Sequence, residues 1–284
     1  MPDHVLITGG ACDVGQATAL ACAEAGYQVI ITMRRVQPLR ALERLAAERG
    51  LGIHIEQLDV SGNGAAAKIR ELVLKYGPLY GLVNNAAVAV SGPFEEQSER
   101  DVWSQFETNV LGLMNVTRAV LPTMRASERG RIINVSSISG RLALPGLSTY
   151  AAATHAIEGL SEALRMELSP FGVAVCLVEA GSVKPSVLLG KCRAAEHARE
   201  DSPYARMIEQ VEKAVLQSAE RDPSAEAVAS AVLRLLRGPT PPYRTVVGLN
   251  ARTMLAMRKV IPDSLFADGV RRYIGLKPAS SRSR

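Results

Sequence analysis

Short apolar segments alternate with longer helical segments along most of this chain, and this alternation limits the possible folds more than any other feature. The predicted strands cover residues 5–8, 29–32, 53–58, 79–83, 131–135, 173–178 and 244–248. Strands separated by single helices form a parallel sheet through right-handed crossovers, with helices on both faces. We therefore predict an α/β fold, a Rossmann-like doubly wound sheet of about seven strands in a single domain.

The length of the chain is consistent with one large domain followed by a short helical extension. With 284 residues, 47% of them hydrophobic, the chain can bury a sizeable core. We expect the sheet domain to cover residues 1–250. A flap over the site is predicted at about 181–223, because this segment interrupts the alternation. Residues 251–277 are predicted to form two short helices separated at Pro262, and residues 278–284 a disordered tail.

The charge and the cysteines argue against several classes of protein. The net charge is +5, and residues 250–284 contain eight Lys or Arg and two Asp. We interpret this segment as a solvated tail or a weak surface anchor rather than a nucleic-acid site. The four cysteines form no CxxC pair or metal-binding spacing. Without a signal-peptide pattern or an apolar run of ~18 residues, we expect a cytoplasmic protein with no metal, no membrane span and no nucleic-acid partner.

A glycine-rich turn follows the first predicted strand and precedes the first helix. It extends from Thr8 and Gly9 to Val14 and Gly15. Glycines permit a tight turn and a close approach of the backbone to a ligand, and the N-terminus of the next helix attracts an anion such as pyrophosphate. Asp13 occupies the middle of the turn, where its carboxylate would either cap the helix or repel a phosphate. The turn indicates a dinucleotide site, with an ordinary strand–helix loop as the alternative.

Two arginines follow the second predicted strand. Arg34 and Arg35 stand where an acidic residue would bind a free ribose 2′-hydroxyl, and residues 31–35 contain no acidic residue. Arginine at this position favours a 2′-phosphate instead. If a dinucleotide binds, we expect NADP(H) rather than NAD(H). The alternative is a solvated basic loop.

The turn and several later motifs resemble those of the short-chain dehydrogenase/reductase family, over roughly residues 4–185. The later motifs are Asp59-Val60 after strand three, Asn84-Asn85-Ala86-Ala87 after strand four, Asn109 in a long helix, Ser137 after strand five and Tyr150 in the next long helix. The resemblance implies that Ser137, Tyr150 and Asn109 are catalytic, with the tyrosine exchanging a proton with the substrate oxygen. It implies a cofactor site formed by Thr8, Gly9, Asp13, Val14, Gly15, Arg34, Asp59, Val60, Asn85, Ala86 and Thr154.

The chain departs from the family four residues after Tyr150, where the family has lysine and this sequence has Thr154. In the family, the lysine holds the nicotinamide ribose and lowers the pKa of the tyrosine. An unperturbed phenol has a pKa of ~10 and is a poor base at neutral pH, so we expect Tyr150 to stay protonated. Loss of general-base assistance would lower the rate by about 10²–10⁴-fold. The family also has a threonine that contacts the nicotinamide, and this sequence has Pro185 in its place. The resemblance therefore implies that a second contact is lost at the nicotinamide end of the site.

Three other basic residues could supply the positive charge of the missing lysine. His155 is adjacent to Thr154, but it lies about 140° around the helix from Tyr150, and we expect it to have a structural role. Lys184, beyond strand six, and Arg141, beyond the Ser137 loop, remain candidates for a substitute cation.

These residues support three hypotheses about function. The preferred one is a small-molecule enzyme with non-redox, acid-type chemistry, in which Ser137 and a protonated Tyr150 polarise an oxygen of a fairly apolar substrate. The reaction would be a cyclisation, dehydration, isomerisation or aldol-type step, and it would need no cofactor. The alternative is an NADP(H)-dependent carbonyl reductase or alcohol dehydrogenase with a substitute for the lysine. The third is a non-catalytic binding protein.

The resemblance also implies a homodimer or homotetramer. In the family, copies associate through the two long helices that are predicted here at 99–126 and 148–169. Small side chains on the second helix would permit close packing between copies, and these are Ala151, Ala152, Ala153 and Ala156.

Overall fold

Seven parallel strands form the central sheet of the protein. The computed structural model describes residues 2–35, 40–181, 192–194, 202–219 and 224–276. The described residues form nine strands, seven in this sheet and two in a separate pair. They are β1 (His4–Thr8), β2 (Gln28–Met33), β3 (Ile53–Gln57), β4 (Leu79–Asn84), β5 (Ala89–Ser91), β6 (Gly130–Ser137), β7 (Val173–Ala180), β8 (Cys192–Ala194) and β9 (Arg244–Val247). The sheet has the order β3-β2-β1-β4-β6-β7-β9, and β5 pairs with β8 separately. The predicted fold class is confirmed, because every pair in the sheet is parallel.

Helices connect these strands and cover the sheet. They are α1 (Asp13–Glu24), α2 (Arg40–Arg49), α3 (Ala65–Tyr76), α4 (Glu99–Phe106), α5 (Leu113–Ala126), α6 (Ser148–Leu168), α7 (Ala205–Ala219), α8 (Ala225–Arg237), α9 (Leu249–Val260) and α10 (Asp263–Tyr273). A π-helical turn, Glu107–Gly112, joins α4 to α5, so the long helix predicted at 99–126 is continuous. The sequence patterns did not predict α3 or α8. They also did not predict β5 and β8, which are three residues long and pair across about a hundred residues of chain.

Apolar side chains fill the space on both faces of the sheet. On one face, α1 and α8 pack against the strands, with Cys22 and Val232 fully buried. On the other face, α3 and α5 pack against the strands, with Ile69 and Val120 fully buried. Each of these helices buries residues three or four positions apart, as expected for a helix with one face on a sheet. The sheet is therefore doubly wound.

The position of β1 defines where a ligand would bind. β1 lies between β2 and β4, and the chain adds strands outward from β1 in both directions. In such sheets, a crevice opens at the carboxyl ends of the strands where the winding direction changes. Thr8 ends β1 and Asn84 ends β4, so both residues border this crevice.

The alanines of α6 only partly fit the predicted interface between copies. Ala151 and Ala153 are 3% and 0% exposed, so they pack within the chain. Ala152 is exposed and Ala156 is half-buried. The prediction of a four-alanine contact surface is therefore wrong for Ala151 and Ala153, because both lie on the face of the helix that the chain itself covers.

The C-terminal segment forms two helices that separate where the sequence predicts. α9 ends at Val260, and Pro262 is the residue before α10. Of the predicted flap at 181–223, the structure describes Gly181, β8 and the segment that contains α7, and the predicted tail lies outside the described residues. Within the described part of the chain, no helix has both the length and the apolar character needed to cross a membrane.

Candidate active site

The end of β4 holds the glycine-rich turn in place. The hydroxyl oxygen of Thr8 accepts hydrogen bonds from the backbone N–H groups of Asn85 and Ala86, both at 3.1 Å. The side-chain amide of Asn85 donates to the carbonyl oxygens of Thr8 at 3.0 Å and Gly9 at 3.1 Å. These bonds bring together four residues that the sequence assigned to the cofactor, and they fix the shape of the turn.

Two glycines in the turn have no room for a side chain. Gly9 has a φ of +77°, and a Cβ atom there would lie 2.7 Å from the Cα of Ala86. At Gly15, a Cβ atom would lie 2.5 Å from the carbonyl oxygen of Gly9. The resulting bare backbone stands at the N-terminus of α1, which suits a pyrophosphate group.

Asp13 is not the capping residue of α1. Cys12 holds the N-cap position in an extended conformation, and its thiol donates to the carbonyl oxygen of Gly9 at 3.3 Å. Asp13 is the first helical residue and is exposed, and Val14 after it is buried. Of the two alternatives for Asp13, the first does not apply, because Cys12 takes the N-cap position. A carboxylate in the first turn still interacts favourably with the helix dipole.

A cavity of about 560 Å³ lies beside the carboxyl ends of β2 and β3. It is lined by Arg34, Ser61, Glu99, Arg100, Trp103, Ser104, Glu107 and Thr108. The carboxylate of Asp59 accepts hydrogen bonds from the backbone N–H and the hydroxyl of Ser61, at 3.1 and 2.7 Å. Arg34 was predicted as a site residue from the sequence. Arg100 could not be predicted in this way, because the position of α4 across this opening depends on tertiary packing.

Val60 and Asn109 shape the inner wall of the crevice. Val60 is buried against Gly112, where a Cβ atom would lie 2.8 Å from the valine side chain. Asn109 lies in the π-helical turn, a geometry that often marks a functional position. Its side chain accepts from the backbone N–H of Val88 and donates to the carbonyl oxygen of Val88, both at 2.8 Å. Asn109 therefore anchors the segment that leads from β4 into β5.

Ser137 ends β6 and begins a short loop that packs on α6. Its hydroxyl oxygen accepts a hydrogen bond from the N–H of Ser139 at 3.2 Å. Gly140 in this loop lies so close to α6 that a Cβ atom would be 2.9 Å from the side chain of Glu158 and 3.2 Å from the backbone oxygen of Thr154. The loop that carries Ser137 thus rests on α6 just past Tyr150, and both predicted catalytic residues lie at the carboxyl edge of the sheet.

The hydroxyl of Thr154 forms hydrogen bonds within its own helix, α6. Its side chain is buried, and its hydroxyl is within hydrogen-bond distance of the carbonyl oxygens of Tyr150 at 2.9 Å and Ala151 at 3.0 Å. His155 is exposed, and its Nδ1 lies 2.8 Å from the carbonyl oxygen of Ala151. A threonine hydroxyl carries no charge, so position 154 lacks the positive charge that a lysine would bring.

A cluster of buried charges lies behind the Ser137 loop. Glu179 on β7 is fully buried and pairs with Arg141 at 3.2 Å and with Arg244 at 3.2 Å. Arg244 also pairs with Glu158 of α6 at 3.1 Å, and Ser136 donates to Glu158 at 3.1 Å. Burial, together with the nearby charge of Glu179, raises the pKa of Glu158 above its usual range, although Arg244 opposes the shift.

This charge cluster bears on the search for a substitute cation. Arg141 is held by Glu179, so its charge is already balanced by a buried carboxylate. Lys184 and Pro185 lie outside the described residues. Glu158 was not predicted as a site residue, although its spacing from Tyr150 and Thr154 indicates a shared helix face. Glu158 lies one helical turn after Thr154 and two turns after Tyr150, on the same face of α6.

A second buried network joins the start of α6 to the segment around β5. Gln105 is fully buried, and its side chain donates to the hydroxyl of Thr149 at 2.9 Å and accepts from the N–H of Val90 at 2.6 Å. Thr149 donates to Gln97 at 2.7 Å, and Gln97 donates to the carbonyl oxygen of Gly92 at 3.0 Å. Because Thr149 precedes Tyr150, this network fixes the chain beside the predicted catalytic tyrosine.

The fold and this crevice define a nucleotide-binding type of α/β protein, and comparison with known proteins identifies the family. The short chain dehydrogenase family matches residues 3–197. The chain is 34% identical over 261 residues to an uncharacterized oxidoreductase, YusZ, of Bacillus subtilis, a match that covers 90% of this chain and 93% of that protein. The chain therefore belongs to the short-chain dehydrogenase family, as the sequence motifs predict.

Two further relatives carry more specific names. A 3-ketodihydrosphingosine reductase of Bacteroides thetaiotaomicron is 28% identical over 277 residues, which cover 97% of this chain and 99% of that protein. An NADPH-dependent 3-dehydrocapnine reductase of Ornithobacterium rhinotracheale is 28% identical over 267 residues, which cover 92% and 94%.

Solved structures show the same fold. A short-chain dehydrogenase of Streptomyces avermitilis superposes with a TM-score of 0.80 at 32% identity and covers 94% of both chains. A metagenomic short-chain oxidoreductase in complex with NADP superposes with a TM-score of 0.70 at 25% identity and covers 86% of this chain and 96% of that one.

Proposed function

We propose that this chain is an NADP(H)-dependent reductase that converts a ketone into an alcohol. The relatives described above are named as oxidoreductases or reductases, which favours this alternative over the non-redox chemistry that the sequence analysis preferred. The structural observation that carries the proposal is the intact glycine turn, which Thr8 and Asn85 hold open at the N-terminus of α1. A bare backbone at the N-terminus of a helix is the arrangement that binds the pyrophosphate of a dinucleotide.

The cavity beside β2 and β3 supports NADP(H) over NAD(H). Arg34 and Arg100 both line it, together with Glu99 and Glu107. The two guanidinium groups are suited to a ribose 2′-phosphate, and the two carboxylates oppose this preference. In this arrangement the pyrophosphate would lie at Gly9 and Gly15, and the adenosine would lie near Asp59 and its partner Ser61. NADPH supplies the hydride when it is bound.

The absence of the lysine affects the two directions of the reaction differently. Reduction of a ketone requires a proton for the developing alkoxide, and oxidation of an alcohol requires a base. A phenol without a neighbouring ammonium remains protonated at neutral pH. Tyr150 would then donate its proton to the substrate oxygen, with Ser137 as a second hydrogen-bond donor to that oxygen. With a protonated Tyr150, the chain would have the protonation state that reduction needs and would lack the one that oxidation needs.

Substitution of the tyrosine tests this proposal. With NADPH and a panel of ketones, we expect the wild-type chain to oxidise NADPH in a substrate-dependent way. Tyr150→Phe should lower kcat by about 10²–10⁴-fold, while the Kd for NADPH measured by fluorescence changes little. Absence of NADPH binding by the wild-type chain would overturn the reductase and return the non-redox hypothesis to first place. NADPH binding without turnover of any ketone would favour the binding protein.

We also propose that the chain forms a homodimer or homotetramer through α4, α5 and α6. Trp103 on α4, Leu111 in the π-helical turn between α4 and α5, and Met166 on α6 have 55%, 45% and 68% of their surface exposed. Large apolar side chains at such exposure are suited to contact with a second copy. Light scattering should show at least a dimer, and Trp103→Ser with Met166→Ser should lower the mass. A monomeric wild-type chain would contradict the proposal.

A further inference from the structure

The helix α9 has a second apolar face that points away from the protein. Its inner face is buried through Ala251 and Leu255, at 1% and 4% exposure. On the opposite side, Leu249, Thr253, Ala256 and Val260 recur at helical spacing, and all four are exposed. Leu249 is 77% exposed and Val260 is 80% exposed. An exposed stripe without a charged side chain is unusual for a surface helix, whose outer face is normally polar.

The segment of sequence that contains the apolar stripe of α9 has a net positive charge. Residues 249–276 contain five basic and two acidic residues, a net charge of +3. Both acidic residues are paired, Asp263 with Arg258 and Asp268 with Arg271. Lys259 directly precedes Val260, and residues 277–284 add three basic residues and no acidic one. Leu265 and Tyr273 of α10 are also exposed, at 61% and 67%.

The stripe begins at the edge of the sheet where the candidate active site lies. β9 ends at Val247, whose carbonyl oxygen accepts a hydrogen bond from Gly181 just beyond the end of β7. Leu249, the first residue of α9, follows two positions later. The start of the stripe therefore lies at the same carboxyl edge as Ser137, which ends β6 beside β7.

We propose that α9 and α10 dock on an anionic lipid bilayer, with the apolar stripe of α9 inserted between the headgroups. An amphipathic helix with basic flanks binds in this way, parallel to the membrane surface. A second copy of the chain fits this face less well, because two such faces would bring like charges together. The proposal is independent of the proposed function, although it would place the active-site edge close to a source of lipid substrates.

Vesicle binding by the full chain tests the proposal. The chain should sediment with vesicles of phosphatidylcholine and one-third phosphatidylglycerol, and much less with phosphatidylcholine alone or at high salt. Leu249→Ser with Val260→Ser should weaken this binding by about 10-fold, because two exposed side chains lose their apolar contact with the lipid. Lys259→Gln with Arg272→Gln should weaken binding to the anionic vesicles only.

The matched control is Leu74→Ser, since Leu74 is 87% exposed on α3, away from the stripe. This variant should bind vesicles as the wild-type chain does. The proposal is overturned if the wild-type chain does not sediment with anionic vesicles, or if the α9 variant and the control bind equally. It is also overturned if Leu249→Ser with Val260→Ser lowers the solution mass of the protein, because the stripe would then be a contact between copies.

Discussion

The two ends of the crevice differ in how their polar groups are used. At the proposed adenosine end, formed by Thr8, Gly9, Gly15 and Arg34, hydrogen bonds within the chain frame a bare backbone, and the cavity beside it is lined by two arginines and two glutamates. At the catalytic end, the Thr154 hydroxyl bonds to its own helix. Arg141, also at this end, pairs with Glu179.

This difference separates cofactor binding from redox chemistry. A chain can bind the adenosine and pyrophosphate of a dinucleotide at one end of the crevice. It can still lack, at the other end, the positive charge that lowers the pKa of the tyrosine. Four substitutions test this difference between the two ends of the crevice, and they follow in order of decreasing expected effect.

Gly15→Ala tests the adenosine end most directly. The new Cβ would collide with the carbonyl oxygen of Gly9 at 2.5 Å and displace the turn. We expect NADPH affinity to fall by about 100-fold, close to ~2.7 kcal/mol, as measured by fluorescence titration. Gly64→Ala is the control, because a Cβ there meets nothing within 4 Å. Equal affinity in the two variants would mean that this turn does not bind the cofactor.

Thr154→Lys tests the catalytic end. An ammonium one helical turn after Tyr150 favours the phenolate, so alcohol oxidation should gain more than ketone reduction. We expect oxidation with NADP⁺ at neutral pH to rise by about 10²-fold, as followed by NADPH absorbance. Ketone reduction should change little, because it needs the protonated phenol. Thr154→Met is the control, since it removes the hydroxyl without adding charge. If the lysine variant changes neither rate, the charge at this position does not limit the reaction.

Arg34→Gln tests the choice of cofactor. Removal of one guanidinium from the cavity should weaken NADPH by about 10-fold, or ~1.4 kcal/mol, and leave NADH nearly unchanged. Arg35→Gln is the matched control, because Arg35 is not among the residues that line the cavity. A parallel loss for NADPH and NADH would show that Arg34 does not contact the 2′-phosphate.

Glu158→Gln tests the buried charges behind the Ser137 loop. Burial and Glu179 raise the pKa of Glu158, so its contribution to stability is present at low pH and is lost as pH rises through the raised pKa. Glutamine does not ionise, and we expect it to raise Tm by about 2 °C at pH 8 with no gain at pH 4. Glu162→Gln, at a 62% exposed side chain that also pairs with Arg244, should show no such dependence. Equal pH profiles would refute the assigned cause.

Much of the fold could be predicted from local sequence, because strands and helices leave periodic patterns. The seven strands of the main sheet were all predicted within two residues at either end. The helices α3 and α8 were missed, and β5 and β8 form only through a distant pairing. For the site, the motifs placed Thr8, Ser137 and Tyr150 at the carboxyl edge of the sheet, and their catalytic and binding roles stay predictions.

The local sequence was sufficient for the positions of the main strands along the chain, the glycine turn and the threonine at position 154, since each depends on a few consecutive residues. Tertiary packing decided which charges meet. Arg141 and Glu179 are 38 residues apart, and Arg244 lies a further 65 residues along the chain, yet they pair at the ends of neighbouring strands. It also decided that the outer face of α9 stays exposed, because a helix with two apolar stripes can bury only one against its own sheet.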